Sequence, residues 1–174
     1  MLGDKDRGLL LNLTGDGKGK STGAFGTAVR ALGWGWRVAI LQFLKGDRMT
    51  GERNFFTTHF PEMIFEDLGL GLSTHPGDHA GAARRGWERA KELLAGFDGE
   101  LLILDELNVA LRNGYLSADE VIPALTGRRE TLNVIVTGRG APPELVAVSD
   151  LVSEVREIRH PFRSGIPAQK GIDY

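Results

Sequence analysis

The sequence predicts an α/β fold whose sheet is mostly parallel and carries helices on both faces. Apolar runs with strand character alternate along the chain with segments of helical period, a pattern typical of strand–helix–strand units and parallel pairing. A glycine-rich loop joins one apolar run to a helical segment, and another apolar run ends in two adjacent carboxylates. Ligands of such sheets bind at the carboxyl ends of the strands, so the first candidates for function are three turns at strand ends: after Leu13, at Asp105-Glu106 and after Thr137.

In the first half of the chain, short apolar runs surround one clear helical segment. The run over 36–43 contains β-branched and aromatic residues, which favour a strand, and the glycine-rich stretch after 67 indicates a loop. The predicted elements are strands over 8–13, 36–43 and 63–67, a helix over 20–32 that ends at Gly33 as its C-cap, and a loop over 68–79.

The second half begins with an amphipathic helix over 80–95, because Ala83, Trp87, Ala90 and Leu94 repeat at helical spacing. Its charged residues are interpreted as a solvated face. The elements predicted after it are strands over 100–106, 131–140 and 153–159, a helix over 117–128 and a short helix starting at Pro142-Pro143, followed by a tail over 160–174 with neither period.

Length and composition describe an ordinary globular chain. The 174 residues are predicted to form a single domain over 1–174, with 41% apolar and 25% charged residues. A net charge of −2 gives no broad attraction to nucleic acid or to an anionic membrane. The chain has no cysteine, which excludes disulfides, thiolate metal sites and a cysteine nucleophile and fits a cytoplasmic location. No apolar run is long enough for a signal peptide or a membrane span.

The loop between the first strand and the first helix approaches the phosphate-binding pattern G-x-x-x-x-G-K-[ST]. Gly19-Lys20-Ser21 supplies its second half, but Thr14 stands where the first glycine is expected and Gly15 follows it. Glycines let backbone N–H groups turn toward a phosphate, and the helix that follows adds its positive end. Lys20 is predicted to reach the terminal phosphates, and the Ser21 hydroxyl is predicted to bind magnesium.

The carboxylates that end the strand "ELLILDE" complete such a site. An apolar strand that delivers an acid beside the loop is how phosphate-loop proteins hold magnesium. Asp105 occupies the usual magnesium position and Glu106 is next to it. Either could bind Mg²⁺ (or Mn²⁺) directly or through water.

Together these motifs resemble the phosphate-loop type of ATP:corrinoid adenosyltransferases, which act on cob(I)alamin or cob(I)yrinic acid a,c-diamide. The loop of that family reads T-G-x-G-K-G-K-[ST]-[ST], so the shifted glycine is the family's own form. The resemblance extends from Arg7 to Tyr174. It is carried by the loop Thr14-Gly15-Asp16-Gly17-Lys18-Gly19-Lys20-Ser21-Thr22, the helix "AFGTAVRALGWG" with Arg30, "VAILQFLKG", "GERN", "LLILDELN", "VIVTGRGAP" with Arg139, and the ending "HPFRSGIPAQKGIDY".

The resemblance implies a RecA-like P-loop fold, usually as a homodimer, in the cytoplasm. It implies transfer of the 5′-deoxyadenosyl group of ATP to the Co(I) centre of a corrinoid, with release of triphosphate. An electron-donating reductase is the implied partner, with no role for nucleic acid or membrane. The implied site residues are Lys20 and Glu106 for catalysis, residues 14–22 with Arg30 and Arg139 for nucleotide binding, and Ser21, Asp105 and Glu106 for the metal.

Two features depart from the family pattern. Members often carry aromatic residues after the third strand that are implied to press on the lower face of the corrin, whereas this chain has Leu70 and Leu72. An apolar wall would still exclude water from that face. Seven residues precede the first strand, so the N-terminal segment that caps the site in many members is expected to be absent.

Several weaker assignments complete the sequence-based prediction. The end of the second strand offers Gln42 and Lys45 as weak candidates for ligand contact. Ordinary surface or structural roles are expected for the histidines, which are His59, His75, His79 and His160.

Two other function classes stay open from the residues alone. A P-loop kinase or ATPase would release ADP, and it explains the loop and Asp105 but not the "TGRG" turn or the ending of the chain. A non-catalytic nucleotide-dependent module is the second, although a basic stripe with interleaved aromatics for nucleic acid is missing.

Overall fold

The core of the fold is a six-stranded sheet in which every pairing is parallel, with the strand order β3-β2-β4-β5-β1-β6. A computed structural model describes residues 7–44, 46, 49–71 and 76–174. The strands are β1 Leu10–Thr14, β2 Val38–Gln42, β3 Ile64–Asp67, β4 Leu101–Asp105, β5 Asn133–Thr137 and β6 Leu151–Glu154. The predicted α/β class with a mostly parallel sheet is confirmed. The expectations for Lys45, Leu72 and His75 lie outside the described residues.

Helices follow most of the strands. They are α1 Lys20–Gly33, α2 Gly51–His59, α3 His79–Gly96, α4 Leu107–Arg112, α5 Ala118–Thr126 and α6 Pro143–Val148, with a 3₁₀ turn over Pro161–Ser164. In the described ranges, no helix combines the length and apolar character that crossing a bilayer requires. The sequence did not predict α2 or α4. Only Phe56 is buried in α2, so that helix lacks an apolar stripe, and α4 begins one residue after β4 without a punctuating glycine or proline.

Two apolar clusters cover the two faces of the sheet, and the central strand β4 contributes to both. Leu102 and Leu104 point toward the cluster that contains Trp87 of α3, whereas Leu101 and Ile103 join Phe25 of α1. All the residues of β4 are buried. A central strand covered on both faces explains why its sequence is a continuous apolar run.

The last strand was predicted over 153–159 but is observed at Leu151–Glu154. Its register against β1 pairs Leu11 with Leu151 and Thr14 with Glu154, so the ladder stops where β1 stops. The chain beyond Glu154 then leaves the sheet and contacts the glycine-rich loop, where the Val155 carbonyl accepts the Gly17 N–H at 2.7 Å. The alternation seen in the sequence therefore continues past the end of the strand.

The entry to β6 supplies a testable contribution to stability. The Asp150 carboxylate accepts the N–H of buried Leu10 at 2.8 Å and pairs with Arg7. Asp150→Ala leaves that buried N–H without its acceptor, so we expect the free energy of unfolding at neutral pH to fall by about 1–2 kcal/mol in urea titrations.

The same carboxylate predicts a pH dependence. The hydrogen bond from Arg7, followed by that from the Leu10 N–H, lowers the pKa of Asp150 below its ordinary 3.8. A lowered folded-state pKa means that the stabilisation is present above the unfolded pKa and is lost as the pH falls through the folded one. The difference between wild type and Asp150→Ala should therefore shrink below about pH 4. An equal difference at neutral and acid pH would contradict the assignment.

Candidate active site

A cavity of about 440 Å³ opens at the carboxyl ends of the central strands, where the fold predicts a ligand site. Its floor is the glycine-rich loop and the first turn of α1. Charged side chains of both signs from several elements surround it. The lining residues are those at positions 17–22, Leu44, Glu52, Glu106, Val109, Arg112, Arg139, His160 and Asp173.

The shape of the loop depends on close backbone contact with the segment after β6. A Cβ atom at Gly15 would lie 2.4 Å from the Val155 carbonyl oxygen, and one at Gly17 would lie 2.7 Å from the Arg156 carbonyl carbon. Gly15 also has φ +95°, which side-chain-bearing residues rarely adopt. The sequence explained these glycines by conformational freedom, and the structure adds the packing that requires them.

The N-terminus of α1 opens into the cavity. Gly19 precedes the helix with φ 119°, and among the described residues no side chain caps the helix start. The N–H groups of the first turn are therefore available to a ligand, and Ser21 and Thr22 both line the cavity. Oriented N–H groups and the helix dipole make such a terminus a phosphate site.

Lys20 is held inside this loop. Its side chain is buried, and its Nζ donates a hydrogen bond to the Gly17 carbonyl at 2.6 Å. Burial lowers the pKa of Lys20, the nearby Glu106 carboxylate opposes that effect, and Arg139 adds to it. The buried Lys20 ammonium interacts electrostatically with Glu106 and Arg139. In this position it can contact a polyphosphate.

The two adjacent acids of the β4 end have different environments. Asp105 is fully buried, and its carboxylate accepts the Thr137 hydroxyl at 2.7 Å and the Gln42 amide N–H at 2.8 Å. Glu106 instead lines the cavity. This placement favours Glu106 over Asp105 as the direct ligand of a metal ion, and it gives Gln42 a supporting position beneath the cavity.

A buried amide pair joins the strand ends that carry the loop and the "TGRG" turn. Asn108 donates to the Asn12 side-chain oxygen at 2.9 Å and to the Gly138 carbonyl at 3.1 Å. Both asparagines are fully buried. Because Asn12 lies in β1 and Asn108 in α4, this pair fixes β1, α4 and the turn after β5 relative to one another.

The end of the chain reaches the loop. Lys18 pairs with Asp173 at 2.9 Å, and Asp173 and His160 both line the cavity. The hydrogen bond from the Gln169 N–H, followed by that from Lys18, lowers the pKa of Asp173. A carboxylate of the tail thus pairs with Lys18 of the loop.

The other predicted residues lie at varied positions. The Thr14 hydroxyl accepts the Ala141 N–H at 3.2 Å, so it links the loop to the turn after β5, and Asp16 is exposed. Arg139, predicted to bind the nucleotide, lines the cavity. Arg30 lies in the last turn of α1, beside a separate apolar groove with Trp34 and Trp36. Ten residues of helix, about 15 Å, separate it from Lys20, so the structure does not bring Arg30 to the loop.

Six cavity residues were not predicted from the sequence as ligand contacts: the apolar Leu44 and Val109, and the polar Glu52, Arg112, His160 and Asp173. Glu52 belongs to the "GERN" motif, and His160 and Asp173 belong to the characteristic ending of the chain. Those motifs were the available signal, although they do not say which residue faces a ligand. Arg112 had no signal, because the sequence did not predict α4.

The donors in the cavity fit Mg²⁺. No group of three or more His, Cys, Asp and Glu side chains arranged to hold a metal ion occurs among residues 7–44, 46, 49–71 and 76–174. Mg²⁺ does not need such a cluster, because it is usually held by one or two carboxylates together with substrate phosphates and water. The Ser21 hydroxyl and the Glu106 carboxylate line the same cavity and are donors of that kind.

The contact between Lys18 and Asp173 predicts an effect on ATP affinity. Asp173→Asn keeps an oxygen that accepts the Gln169 N–H but removes a negative charge from the cavity. We expect ATP to bind about two- to fivefold more tightly in calorimetric titrations. Asp98→Asn, an exposed acid paired with Arg37 outside the cavity, is the control. Weaker ATP binding in Asp173→Asn would instead show that the ion pair organises the tail for the nucleotide.

Comparison with known proteins finds a family match over nearly the whole chain. The profile of the family described as ATP:corrinoid adenosyltransferase BtuR/CobO/CobP matches residues 6–174. A corrinoid adenosyltransferase of Pseudomonas aeruginosa is 42% identical over 172 residues, which cover 97% of this chain and 85% of the relative. One from Escherichia coli K12 is 41% identical over 170 residues, with 97% and 87% covered.

Among solved structures, the chain resembles the flagellar accessory protein FlaH of Methanocaldococcus jannaschii. The TM-score is 0.58 at 12% sequence identity, with 88% of this chain and 73% of that chain covered. At this identity the likeness concerns the fold alone, and it supports the α/β architecture described above.

Proposed function

The chain belongs to the ATP:corrinoid adenosyltransferase family, and from that premise we propose which of its residues carry out the transfer. The enzyme transfers the 5′-deoxyadenosyl group of ATP to the Co(I) centre of a corrinoid and releases triphosphate. The observation that carries the assignment of roles is the cavity in which Lys20, Ser21, Glu106 and Arg139 converge on the N-terminus of α1.

The reaction develops negative charge on its leaving group, the triphosphate, and the protein must stabilise that charge. The electron pair of Co(I) forms the cobalt–carbon bond to C5′, while the bond from C5′ to the triphosphate oxygen breaks and its electron pair remains on that oxygen. Because cobalt is the nucleophile, the protein needs no nucleophilic side chain. Lys20, Arg139 and the N–H groups of the α1 terminus stabilise the negative charge that develops on the departing triphosphate.

We assign Ser21 and Glu106 as the residues that hold Mg²⁺ (or Mn²⁺). When bound, the cation neutralises part of the charge on the triphosphate. The support for this assignment is that both side chains line the cavity beside Lys20, whereas Asp105 is buried beneath it.

The apolar loop after β3 is the proposed wall on the corrin side. The chain at Gly69 packs closely on Leu44, since a Cβ atom there would lie 2.6 Å from the Leu44 backbone, and Leu44 lines the cavity. Leu70 is half exposed in this loop. A half-exposed leucine next to the residue that packs on Leu44 supports a role in excluding water from the lower face of the corrin.

The proposed function also sets requirements on the cellular setting of the protein. An electron-donating reductase must supply Co(I), because the reaction consumes that oxidation state. A homodimer is proposed from the family resemblance. A cytoplasmic location is proposed from the cysteine-free sequence, which suits a reducing compartment.

The alternatives make different products. A kinase or ATPase releasing ADP is not favoured, because relatives named corrinoid adenosyltransferase match nearly the whole chain. The deciding experiment mixes protein, Mg-ATP and a chemically reduced corrinoid without oxygen. A light-sensitive cobalt–carbon product formed with one triphosphate per corrinoid supports the proposal. ADP without adenosylcorrinoid would contradict it, and ATP binding without turnover would support a non-catalytic module.

The metal assignment predicts the behaviour of Glu106→Gln. Loss of one carboxylate charge should raise the Mg²⁺ concentration needed for half-maximal ATP binding by about tenfold or more, as measured by calorimetry at fixed ATP. Binding of ATP without Mg²⁺ should not weaken, because a negative charge has been removed. Glu88→Gln, an exposed residue of α3, serves as the control. An unchanged Mg²⁺ requirement in Glu106→Gln would exclude this carboxylate as a ligand.

A further inference from the structure

Glu106 adopts a backbone conformation that its residue type disfavours. It is the residue other than glycine with positive φ in the described part of the chain, at φ 65° and ψ 17°. Side chains with a Cβ atom make this left-handed region unfavourable, and such residues persist where surrounding contacts hold them. The strain lies at the residue that joins β4 to α4 and carries the cavity carboxylate.

One hydroxyl group accepts a hydrogen bond from the backbone of this residue. The Glu106 N–H donates to the Thr137 Oγ1 at 2.9 Å, and the same hydroxyl donates its proton to Asp105 Oδ1 at 2.7 Å. A hydroxyl can act as acceptor and donor at once. Thr137 is fully buried and does not line the cavity, so its contacts are with the protein and not with a ligand.

The carboxylate beneath completes the chain of contacts. Asp105 receives the Gln42 amide at 2.8 Å on its other oxygen, and Gln42 is its register partner across β2 and β4. The ends of β2, β4 and β5 are thus connected through Asp105 and Thr137. Both oxygens of the Asp105 carboxylate accept hydrogen bonds, which fixes the position of this carboxylate. The Thr137 hydroxyl donates to it and is thereby oriented so that its lone pair points to the Glu106 N–H.

The turn after β5 leaves space for the Glu106 side chain. Gly138 follows Thr137 with φ +126°, and a Cβ atom there would lie 3.2 Å from Glu106 Oε2. The Glu106 carboxylate therefore passes over Gly138, which has no side chain. Gly138 is the neighbour of Thr137, whose hydroxyl accepts the Glu106 N–H. Thr137 and Gly138 act on Glu106 from the same turn.

We propose that Thr137 is a positioning residue that aims Glu106 into the nucleotide cavity through the Asp105–Thr137–Glu106 hydrogen-bond chain. This inference rests on the proposed role of Glu106 in holding Mg²⁺. Without the hydroxyl, the Glu106 N–H loses its acceptor, the left-handed conformation loses its support, and the carboxylate moves away from the cation position.

The test compares Thr137→Val, which has the same shape without the hydroxyl, with Thr137→Ser, which retains it. Calorimetric ATP titrations over a range of Mg²⁺ concentrations give a readout independent of turnover. Thr137→Val should raise the Mg²⁺ concentration for half-maximal ATP binding by about tenfold and leave ATP binding without Mg²⁺ unchanged. Thr137→Ser should restore the wild-type requirement. If Thr137→Val does not fold, Thr137→Cys with its weaker donor provides the same comparison against Thr137→Ser.

A double variant separates positioning from general loosening. In a Glu106→Gln background, Thr137→Val should add little further change to the Mg²⁺ requirement, because the group it positions has gone. Equal requirements in Thr137→Val and wild type, with a raised one in Glu106→Gln, would overturn the role of Thr137 alone. An unchanged requirement in Glu106→Gln would overturn the metal assignment and this inference together.

Discussion

Replacement of Lys20 by alanine should lower kcat/KM for adenosyl transfer by roughly 10²- to 10³-fold. The leaving group is a triphosphate, and Lys20 is the buried ammonium of the loop that receives it, with Nζ held 2.6 Å from the Gly17 carbonyl. Its removal leaves the developing charge to Arg139, the helix terminus and the cation. The measurement is the rate of cobalt–carbon bond formation under anaerobic conditions at saturating reduced corrinoid.

Protein stability distinguishes a lost contact from a damaged fold. Burial lowers the pKa of Lys20, which means that the charged ammonium opposes folding without a ligand. The wild type should gain stability relative to Lys20→Ala as the pH rises from the lowered folded pKa toward the ordinary value of 10.5. Near neutral pH, Lys20→Ala should unfold at the same temperature or higher without ATP, but it should lose most of the thermal stabilisation that ATP gives.

Two control variants test whether the lost rate is due to Lys20 itself. Lys91→Ala removes a surface lysine that pairs with Glu88 and Glu120 on the helical face away from the cavity, and it should keep full activity. Lys20→Arg keeps the positive charge, but its guanidinium group does not reproduce the hydrogen bond of Nζ to the Gly17 carbonyl. This variant should therefore retain only part of the wild-type rate of adenosyl transfer. Activity of Lys20→Ala within a few-fold of wild type would mean that this lysine does not stabilise the leaving group.

Local sequence patterns were enough to predict those features of the candidate site that neighbouring residues of the sequence form. The loop that contains Lys20 and Ser21 follows a strand, which is partly buried, and opens a helix, as its sequence indicates. The acids that end β4 were identified because an apolar run stops at them. Each of these features is encoded by neighbouring residues, so periodicity and residue type reveal it.

Features that depend on distant contacts could not be predicted in the same way. The sequence cannot tell Asp105 from Glu106, because their difference arises from the Thr137 and Gln42 contacts and from a left-handed backbone. Nor can it show that Asp173 meets Lys18 across most of the chain length. The end of β6 is a similar case, since its boundary is set by where β1 stops.

Substitution of Gly15 by alanine is the second change from which we expect a large effect. The added Cβ would lie 2.4 Å from the Val155 carbonyl oxygen and 2.8 Å from its nitrogen, and φ is +95°. The neighbour is backbone of the chain leaving β6, so it cannot rotate away. We expect a loss of at least about 3 kcal/mol in the free energy of unfolding. Any protein that folds should bind ATP roughly 100-fold more weakly, because the loop no longer closes on the phosphates.

Gly26→Ala is the matched control, because it adds the same methyl group to the adjoining helix. Gly26 lies within α1, and among the described residues no atom beyond its chain neighbours and the backbone of its own helix comes within 4 Å of the added Cβ. Alanine favours the helix over glycine there by about 0.5–1 kcal/mol, so this variant should be slightly more stable and keep its ATP affinity. The same change from glycine to alanine should therefore lower the free energy of unfolding at Gly15 and raise it at Gly26. This difference separates the packing of the loop against Val155 from a general sensitivity of this region to an added methyl group. Wild-type stability and ATP affinity in Gly15→Ala would contradict the close approach of the loop to the chain after β6.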